Sequence, residues 1–121
     1  MSRRHDKLRV FQLANSLAAQ VYRHSASFPA SERFGLQSQL RRAAVSAATN
    51  IVEGCARRSR ADYARLVDIA PASATETDYP LDLSRRLGTL SVESYDECKT
   101  CTNQLLPALQ KLLQSIEALK P

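Results

Sequence analysis

The chain has 121 residues, a length that predicts one domain over residues 1–121 with a single hydrophobic core and argues against two domains. Lys and Arg outnumber Asp and Glu by 17 to 12, and the resulting net charge of +5 favours an anionic partner. Three cysteines are too few and oddly numbered for a disulfide framework, and no apolar run approaches the roughly 20 residues of a membrane span, so we expect a cytoplasmic protein with no membrane partner.

Two helices are predicted in the first third of the chain. Apolar residues at steps of three or four define the first helix over roughly residues 6–26, and Phe28-Pro29 interrupts it. Ser31 is placed to cap the second helix. Gly54 follows the last apolar position of that helix, where a residue often adopts the left-handed backbone conformation that glycine favours. The apolar stripe of the second helix consists of Leu36, Leu40, Ala43, Ala47 and Ile51.

A third helix is predicted between Ser59, which with Asp62 resembles a capping box, and Gly88. Its apolar stripe consists of Tyr63, Leu66, Ala70, Ala74, Thr77, Leu81 and Ser84. Pro71 and Pro80 each remove a backbone donor and press against the carbonyl four residues earlier. We therefore expect this helix to kink or break near one of the two prolines.

A fourth helix is predicted after Ser91, which can cap it. Its apolar residues alternate steps of three and four in a heptad-like seam, and Pro107 falls between two seam positions, from which it should point outward. The seam consists of Tyr95, Cys98, Thr102, Leu105, Leu109, Leu112, Ile116 and Leu119. Four helices joined by short connections predict an all-α fold, an antiparallel up-down-up-down four-helix bundle.

Small residues dominate the middle of the second helix, with Ala43 and Ala47 among them. They allow a neighbouring helix to approach closely on more than one face. A bundle needs only one buried face about 100° wide, so the surplus apolar face predicts packing against another subunit. The alternative is that alanine only raises the helix propensity.

The positive charge is concentrated in residues 1–65, which carry 12 basic and 4 acidic side chains, against 5 and 8 in residues 66–121. Arg41 and Arg42 point about 100° apart on a helix, so one is expected to brace the fold while the other reaches solvent. The best anion site is the turn before the third helix, where three arginines lie near a helix N-terminus. The alternative is a solvated charge run. The candidate nucleic-acid-binding residues are Arg41, Arg57, Arg58, Arg60 and Arg65.

Asn50 and Glu53 are polar residues beside the apolar stripe, near the end of the second helix. Structural contacts to Arg42, to Arg57 or to a loop backbone explain them better than a catalytic pair does, because partly buried polar groups normally satisfy their neighbours.

The sequence resembles a bacterial family of four-helix-bundle proteins that was first noticed as reading frames inside intervening sequences of 23S rRNA genes. The resemblance runs from about Phe11 to Leu119, and residues 39–59 are its most specific part. It is carried by Phe28-Pro29, Glu32, Gly35-Leu36, Gln39, Arg41-Arg42-Ala43-Ala44, Ser46, Asn50-Ile51-Val52-Glu53-Gly54, Arg57, Tyr63, Ser73 and Glu76.

This resemblance implies a closed ring of five antiparallel bundles, without known enzymatic activity. A similar fold serves as the accessory protein of diversity-generating retroelements, where a basic pentamer binds nucleic acid and the reverse transcriptase. The residues assigned to the fold or to subunit contacts are Arg42, Ala43, Ala47, Asn50, Glu53, Gly54, Ser73 and Glu76. The chain departs from the family pattern at Pro71, Ala72 and Pro80, which puts the straightness of the third helix in doubt.

The resulting hypothesis is a non-enzymatic homo-oligomer, a pentamer by the resemblance, that needs no cofactor or metal and binds structured RNA or DNA through its phosphates. Few aromatic residues argue against a stacking platform for single strands. The main alternative is a scaffold that binds a protein partner instead of nucleic acid. A magnesium-dependent nuclease using Asp78 and Asp82 is a weaker alternative, and Cys98 and Cys101 are better explained as core thiols than as zinc ligands.

Overall fold

A computed structural model of the chain describes residues 3–119, and every regular element in this range is helical. It therefore confirms the predicted all-α helical bundle. The α-helices are α1 (Arg9–Ser25), α2 (Leu36–Cys55), α3 (Arg60–Val67), α4 (Ile69–Thr75), α5 (Asp78–Arg86) and α6 (Val92–Ala118). Short 3-10 turns at His5–Lys7 and Ala30–Glu32 precede α1 and α2.

Helix α1 packs against α2 and α6, and the consecutive helices α3, α4 and α5 pack between α2 and α6 on the other side. Side-chain contacts give the directions. Near the start of α2, Gln37 donates to the Ser25 carbonyl at the end of α1, at 2.8 Å, and near the start of α6 the Ser94 hydroxyl lies 3.1 Å from His24 Nδ1. Helix α1 therefore runs antiparallel to α2 and to α6, and the helices enclose one cluster of buried apolar residues. Within residues 3–119, no helix combines the length and apolarity needed to cross a bilayer.

The predicted third helix is divided into α3, α4 and α5, and both prolines contribute. Pro71 cannot donate to the Val67 carbonyl, and the helix is interrupted at Asp68, the next residue. Pro80 likewise cannot donate to the Glu76 carbonyl, and α4 ends immediately before Glu76. The sequence predicted an interruption near one proline, whereas the structure has one near each. The predicted apolar stripe is nevertheless buried along all three helices, because the backbone between them stays in the right-handed helical region.

Two of the three predicted serine caps are confirmed. The hydroxyl oxygens of Ser59 and Ser91 each accept a hydrogen bond at 3.1 Å from a backbone N–H three residues later. The Ser31 cap was wrong, because Ser31 lies inside a 3-10 turn and α2 begins only at Leu36. The Glu32 carboxylate, not a serine hydroxyl, accepts from the Leu36 N–H at 3.2 Å.

The two helix-ending glycines differ. Gly88 has φ +80 and ends α5 as predicted, in the left-handed region that glycine tolerates best. Gly54 does not end α2 with positive φ. It lies inside the helix, and a Cβ at this position would come within 3.1 Å of Val67 Cγ2 and 3.3 Å of the Tyr63 carbonyl oxygen. The absence of a side chain at Gly54 therefore permits close packing between α2 and α3.

Buried thiols line the core of the bundle. The three cysteines, Cys55, Cys98 and Cys101, are free and buried, and for Cys98 and Cys101 this agrees with the core-thiol prediction. The Cys101 thiol donates to the Leu13 carbonyl at 3.2 Å and links α6 to α1. Burial raises the pKa of Cys98 from 9.0 to about 12, because a thiolate cannot be solvated there.

We expect Cys98 to react with Ellman's reagent at pH 8 about a thousandfold more slowly than an exposed cysteine, because three pKa units reduce its thiolate fraction by that factor. Peptide mass spectrometry of the labelled protein measures this, with urea-unfolded protein as the control. The pKa of Cys98 is higher in the folded protein than in the unfolded chain. Burial of the neutral thiol therefore contributes fully to folding stability below pH 9, and this contribution is lost as the pH rises toward 12. Rapid native labelling of Cys98 would contradict the expectation.

Candidate nucleic-acid interface

The turn between α2 and α3 presents three of the predicted arginines to solvent. Helix α2 ends at Cys55, and only residues 56–59 connect it to α3. Arg57 and Arg58 are exposed within this connection, and Arg60 is half-buried at the first position of α3. The short connection between two packed helices therefore keeps the three guanidinium groups at one end of the bundle.

A fourth arginine, Arg3, folds back onto the same turn. Its backbone N–H donates to the Cys55 carbonyl at 3.3 Å, and its guanidinium donates to the Arg57 carbonyl at 2.6 Å. The guanidinium carbon also lies 4.0 Å from the centroid of the Tyr63 ring, a cation–π arrangement. Sequence reasoning missed Arg3, whose only signal was the basic character of the N-terminal segment. We call Arg3, Arg57, Arg58, Arg60 and Arg65 the basic end.

Arg65 extends the basic end along α3, but an acidic neighbour partly offsets its charge. Its guanidinium lies 3.6 Å from the Asp62 carboxylate, and both side chains are largely exposed. An exposed pair of this kind is weak, so Arg65 remains available to a stronger anion. The Asp62 carboxylate also lies in the first turn of α3. The Asp62 N–H donates to the Ser59 hydroxyl and is therefore not available to an anion. Arginine side chains, more than helix amides, therefore define the anion-binding capacity of this end.

Arg41 does not join the basic end. It lies 14 residues before Cys55, about 21 Å away along α2. Its side chain donates to the Ser25 hydroxyl at 2.9 Å and to the Tyr22 carbonyl at 3.2 Å, and it lies 4.4 Å from the Tyr22 ring centroid. Arg41 thus braces α2 against α1, whereas Arg42 is exposed. One of the two arginines therefore braces the fold, as expected, but Arg41 and Arg42 have the opposite roles to those predicted.

A shallow groove of about 350 Å³ runs along the outer face of α2, and we call it the α2 groove. Its lining includes Arg41, Arg42, Val45, Ser46, Asn50 and Glu53. The hydroxyl groups of Ser46 and Ser73 lie 2.9 Å apart and link α2 to α4. Asn50 Nδ2 donates to the Ser46 carbonyl at 2.9 Å, so it satisfies its own helix and not the arginines or the loop named in the sequence analysis. The carboxylates of Glu53 and Glu76 are exposed.

The alanines of α2 pack within the bundle of this chain. Ala43 and Ala47 are buried in contact with the rest of the bundle, with exposed fractions of 6% and 0%. The outer face of α2 is mainly polar, with Val45, 39% exposed, as its largest apolar side chain. The prediction that these alanines form an exposed apolar face for another subunit is therefore wrong, because helices on both sides of α2 already cover them. A subunit contact at α2 would use the groove instead.

The carboxylates considered for nuclease chemistry are held by cations. Lys99 lies 2.9 Å from Asp78, and Asp82 accepts from Arg85 at 2.6 Å and Arg86 at 2.8 Å. Hydrogen bonds from Arg86 and Arg85 lower the pKa of Asp82. In the part of the chain that the structure describes, no three His, Cys, Asp or Glu side chains converge as a metal site would require.

Comparison with known proteins identifies a family and a fold. A family model described as 23S rRNA-intervening sequence protein matches residues 6–111. Six chains of solved structures also match. One is a crystal structure of a protein with unknown function from the S23 ribosomal protein family of Bacteroides thetaiotaomicron VPI-5482, with a TM-score of 0.77 and 24% sequence identity. The alignment covers 87% of this chain and 95% of that chain, and at this identity the likeness concerns the fold. No curated protein matches the sequence.

Proposed function

Because the chain belongs to the 23S rRNA-intervening sequence protein family, we propose that it is a non-enzymatic homo-oligomer that binds structured RNA or DNA through basic surfaces from several subunits. The observation that carries this proposal is the basic end, where Arg57, Arg58 and Arg60 lie in and beside one exposed turn, Arg3 folds back onto that turn, and Arg65 extends it along α3. Phosphate groups are the natural ligands of such a surface, since arginine pairs with them and releases their counterions. An RNA partner also fits the association of the family with a 23S rRNA intervening sequence.

The basic end favours phosphates over stacked bases. Its aromatic ring, Tyr63, is buried, with an exposed fraction of 7%, and Arg3 covers its face. Single-strand binding relies on open aromatic faces, which this surface does not offer. The largest open aromatic side chain in the N-terminal half, Phe34, lies in the α1–α2 connection, at the opposite end of α2. A backbone-directed ligand, such as duplex or hairpin RNA, is therefore the better fit.

Oligomerisation would raise the binding capacity by adding the fields of several subunits. The pentamer implied by the family resemblance would carry a formal charge of +25, five times that of one chain. The α2 groove is a suitable contact, because it exposes Arg42 and Glu53, charges of opposite sign, on either side of Val45. A neighbouring subunit can pair with both charges and cover the valine.

A protein-binding scaffold is the second candidate function, and the end opposite the basic end favours it. Phe34, Leu87 and Val92 lie in or beside the connections at that end and are 91%, 58% and 56% exposed. Exposed apolar side chains of this size commonly mark partner sites. The free thiols fit a reducing compartment such as the cytoplasm for either function.

A salt titration tests the nucleic-acid proposal. We expect the logarithm of the binding constant for a labelled RNA hairpin to fall with the logarithm of salt concentration, with a slope of about −4.5 if five phosphates are contacted. Fluorescence anisotropy between 50 and 300 mM KCl measures the slope, roughly the range over which such contacts weaken strongly. A single strand of equal length is the control and should bind more weakly. Absent binding, or a slope near zero, would favour the protein scaffold.

A further inference from the structure

Two surface grooves follow each other along the seam between α1 and α6. One, of about 790 Å³, lies between the start of α1 and the C-terminal half of α6, and the other, of about 410 Å³, lies beside the N-terminal half of α6. Gln104, near the middle of α6, lines both grooves. The two grooves therefore form one continuous surface, which we call the seam face, with Gln104 at its centre.

The two halves of the seam face carry opposite charges. Arg9 and Lys111 line the larger groove without a carboxylate, whereas the smaller groove is lined by acids without a lysine or arginine. The acids are Glu93, Asp96 and Glu97. Within residues 3–119, Glu97 lies 3.4 Å from both Arg23 and His24, but neither cation of the larger groove has an ion pair, and neither do Glu93 and Asp96. Most of the charge on the seam face is thus available to a partner.

The spacing of these charges is nearly symmetrical about Gln104, with a difference of one residue. Asp96 precedes Gln104 by eight residues and Lys111 follows it by seven, which corresponds to about 12 Å and about 10.5 Å along the helix. A two-fold rotation about an axis at Gln104 would therefore place Lys111 of each copy opposite the acids of the other. Apolar side chains would meet near that axis, since Leu13, Pro107 and Ala108 lie between the charged ends.

We propose that the seam face binds a second copy of this chain, with the two α6 helices antiparallel and a two-fold axis at Gln104. The partner is a second copy because the surface is complementary to itself in sign, spacing and apolar centre. This contact differs from the α2 groove and does not depend on nucleic-acid binding. Where the α2 contact also forms, the seam contact joins two such assemblies.

Disulfide trapping tests the position of the axis. In the Gln104→Cys variant, the two new thiols of a pair would face each other, so mild oxidation with diamide should give a covalent dimer. Asn103→Cys is the matched control, because Asn103 is also exposed but lines neither groove. The native cysteines are buried and contribute little to trapping. Equal trapping of the two variants, or none with Gln104→Cys, would overturn the proposal.

Charge exchange within one chain tests the pairing itself. Lys111→Glu and Asp96→Lys should each raise the dissociation constant of the dimer about tenfold, because each substitution affects two symmetry-related contacts. The double variant should return toward the wild-type value. Analytical ultracentrifugation in the Val45→Glu background, designed to disrupt the α2 contact, separates the two interfaces. Failure of the exchange to restore association would count against the seam contact even if the α2 assembly persists.

Discussion

Replacing Arg57, Arg58 and Arg60 by glutamate is expected to weaken hairpin binding at least about 100-fold, since three phosphate contacts worth about 1 kcal/mol each are lost and repulsion replaces them. The salt slope should also become shallower by about 3. The fold should persist, because Arg57 and Arg58 are exposed and Arg60 precedes the buried residues of α3. Fluorescence anisotropy measures the loss of binding, and far-ultraviolet circular dichroism and the solution mass check the fold.

A matched control separates the site from the net charge. Glutamate at Arg23, Arg33 and Arg86 produces the same change, from +5 to −1, at the opposite end of the bundle. This variant should retain most of the affinity if the basic end holds the nucleic acid. Equal losses in the two triple variants would mean that only the overall charge matters, and unchanged binding by the first would exclude the basic end as the site.

The successful sequence predictions rest on local interactions. Ser59 and Ser91 cap helices through bonds that span three residues, and Gly88 adopts the left-handed conformation that its own backbone permits. The stripe from Tyr63 to Ser84 is also periodic within one segment, so its burial follows from spacing even though two prolines divide the helix. Most of the bundle could therefore be predicted without knowledge of its tertiary contacts.

The unsuccessful predictions depend on distant partners. Arg41 and Arg42 are chemically identical, and only the position of Tyr22 on α1 decides which one braces the fold. Arg3 joins the basic end through the Arg57 carbonyl, 54 residues away in sequence. Glu32 replaced Ser31 as the cap because a 3-10 turn displaced the start of α2. The three arginines of the turn were identifiable because they are adjacent in sequence.

The two proposed interactions can occur together. In a two-fold pair built on antiparallel α6 helices, the basic ends point in opposite directions. The charges that the seam face uses, Lys111 and Asp96 among them, are not members of the basic end. Dimerisation would therefore leave both nucleic-acid surfaces open and allow two-point attachment to one folded RNA.

Gly54→Leu should lower the free energy of unfolding by about 2 to 3 kcal/mol, because the new side chain has no space between α2 and α3. Its Cβ alone would lie 3.1 Å from Val67 Cγ2, 3.3 Å from the Tyr63 carbonyl oxygen and 3.4 Å from Tyr63 Cδ1. Gly54→Ala should have a smaller effect, since a gain in helix propensity of about 1 kcal/mol offsets the crowding. Urea unfolding followed by circular dichroism measures both changes.

Gln39→Leu, an exposed substitution on the same helix, controls for the added apolar bulk and should change stability little. An unchanged urea midpoint for Gly54→Leu would show that α2 and α3 can separate without cost. The position also connects stability to function. Tyr63 contacts the site of Gly54 on one side and Arg3 on the other, with the guanidinium 4.0 Å from the ring centroid. Displacing Tyr63 should therefore release Arg3 from the turn and weaken hairpin binding at temperatures where the variant is still folded.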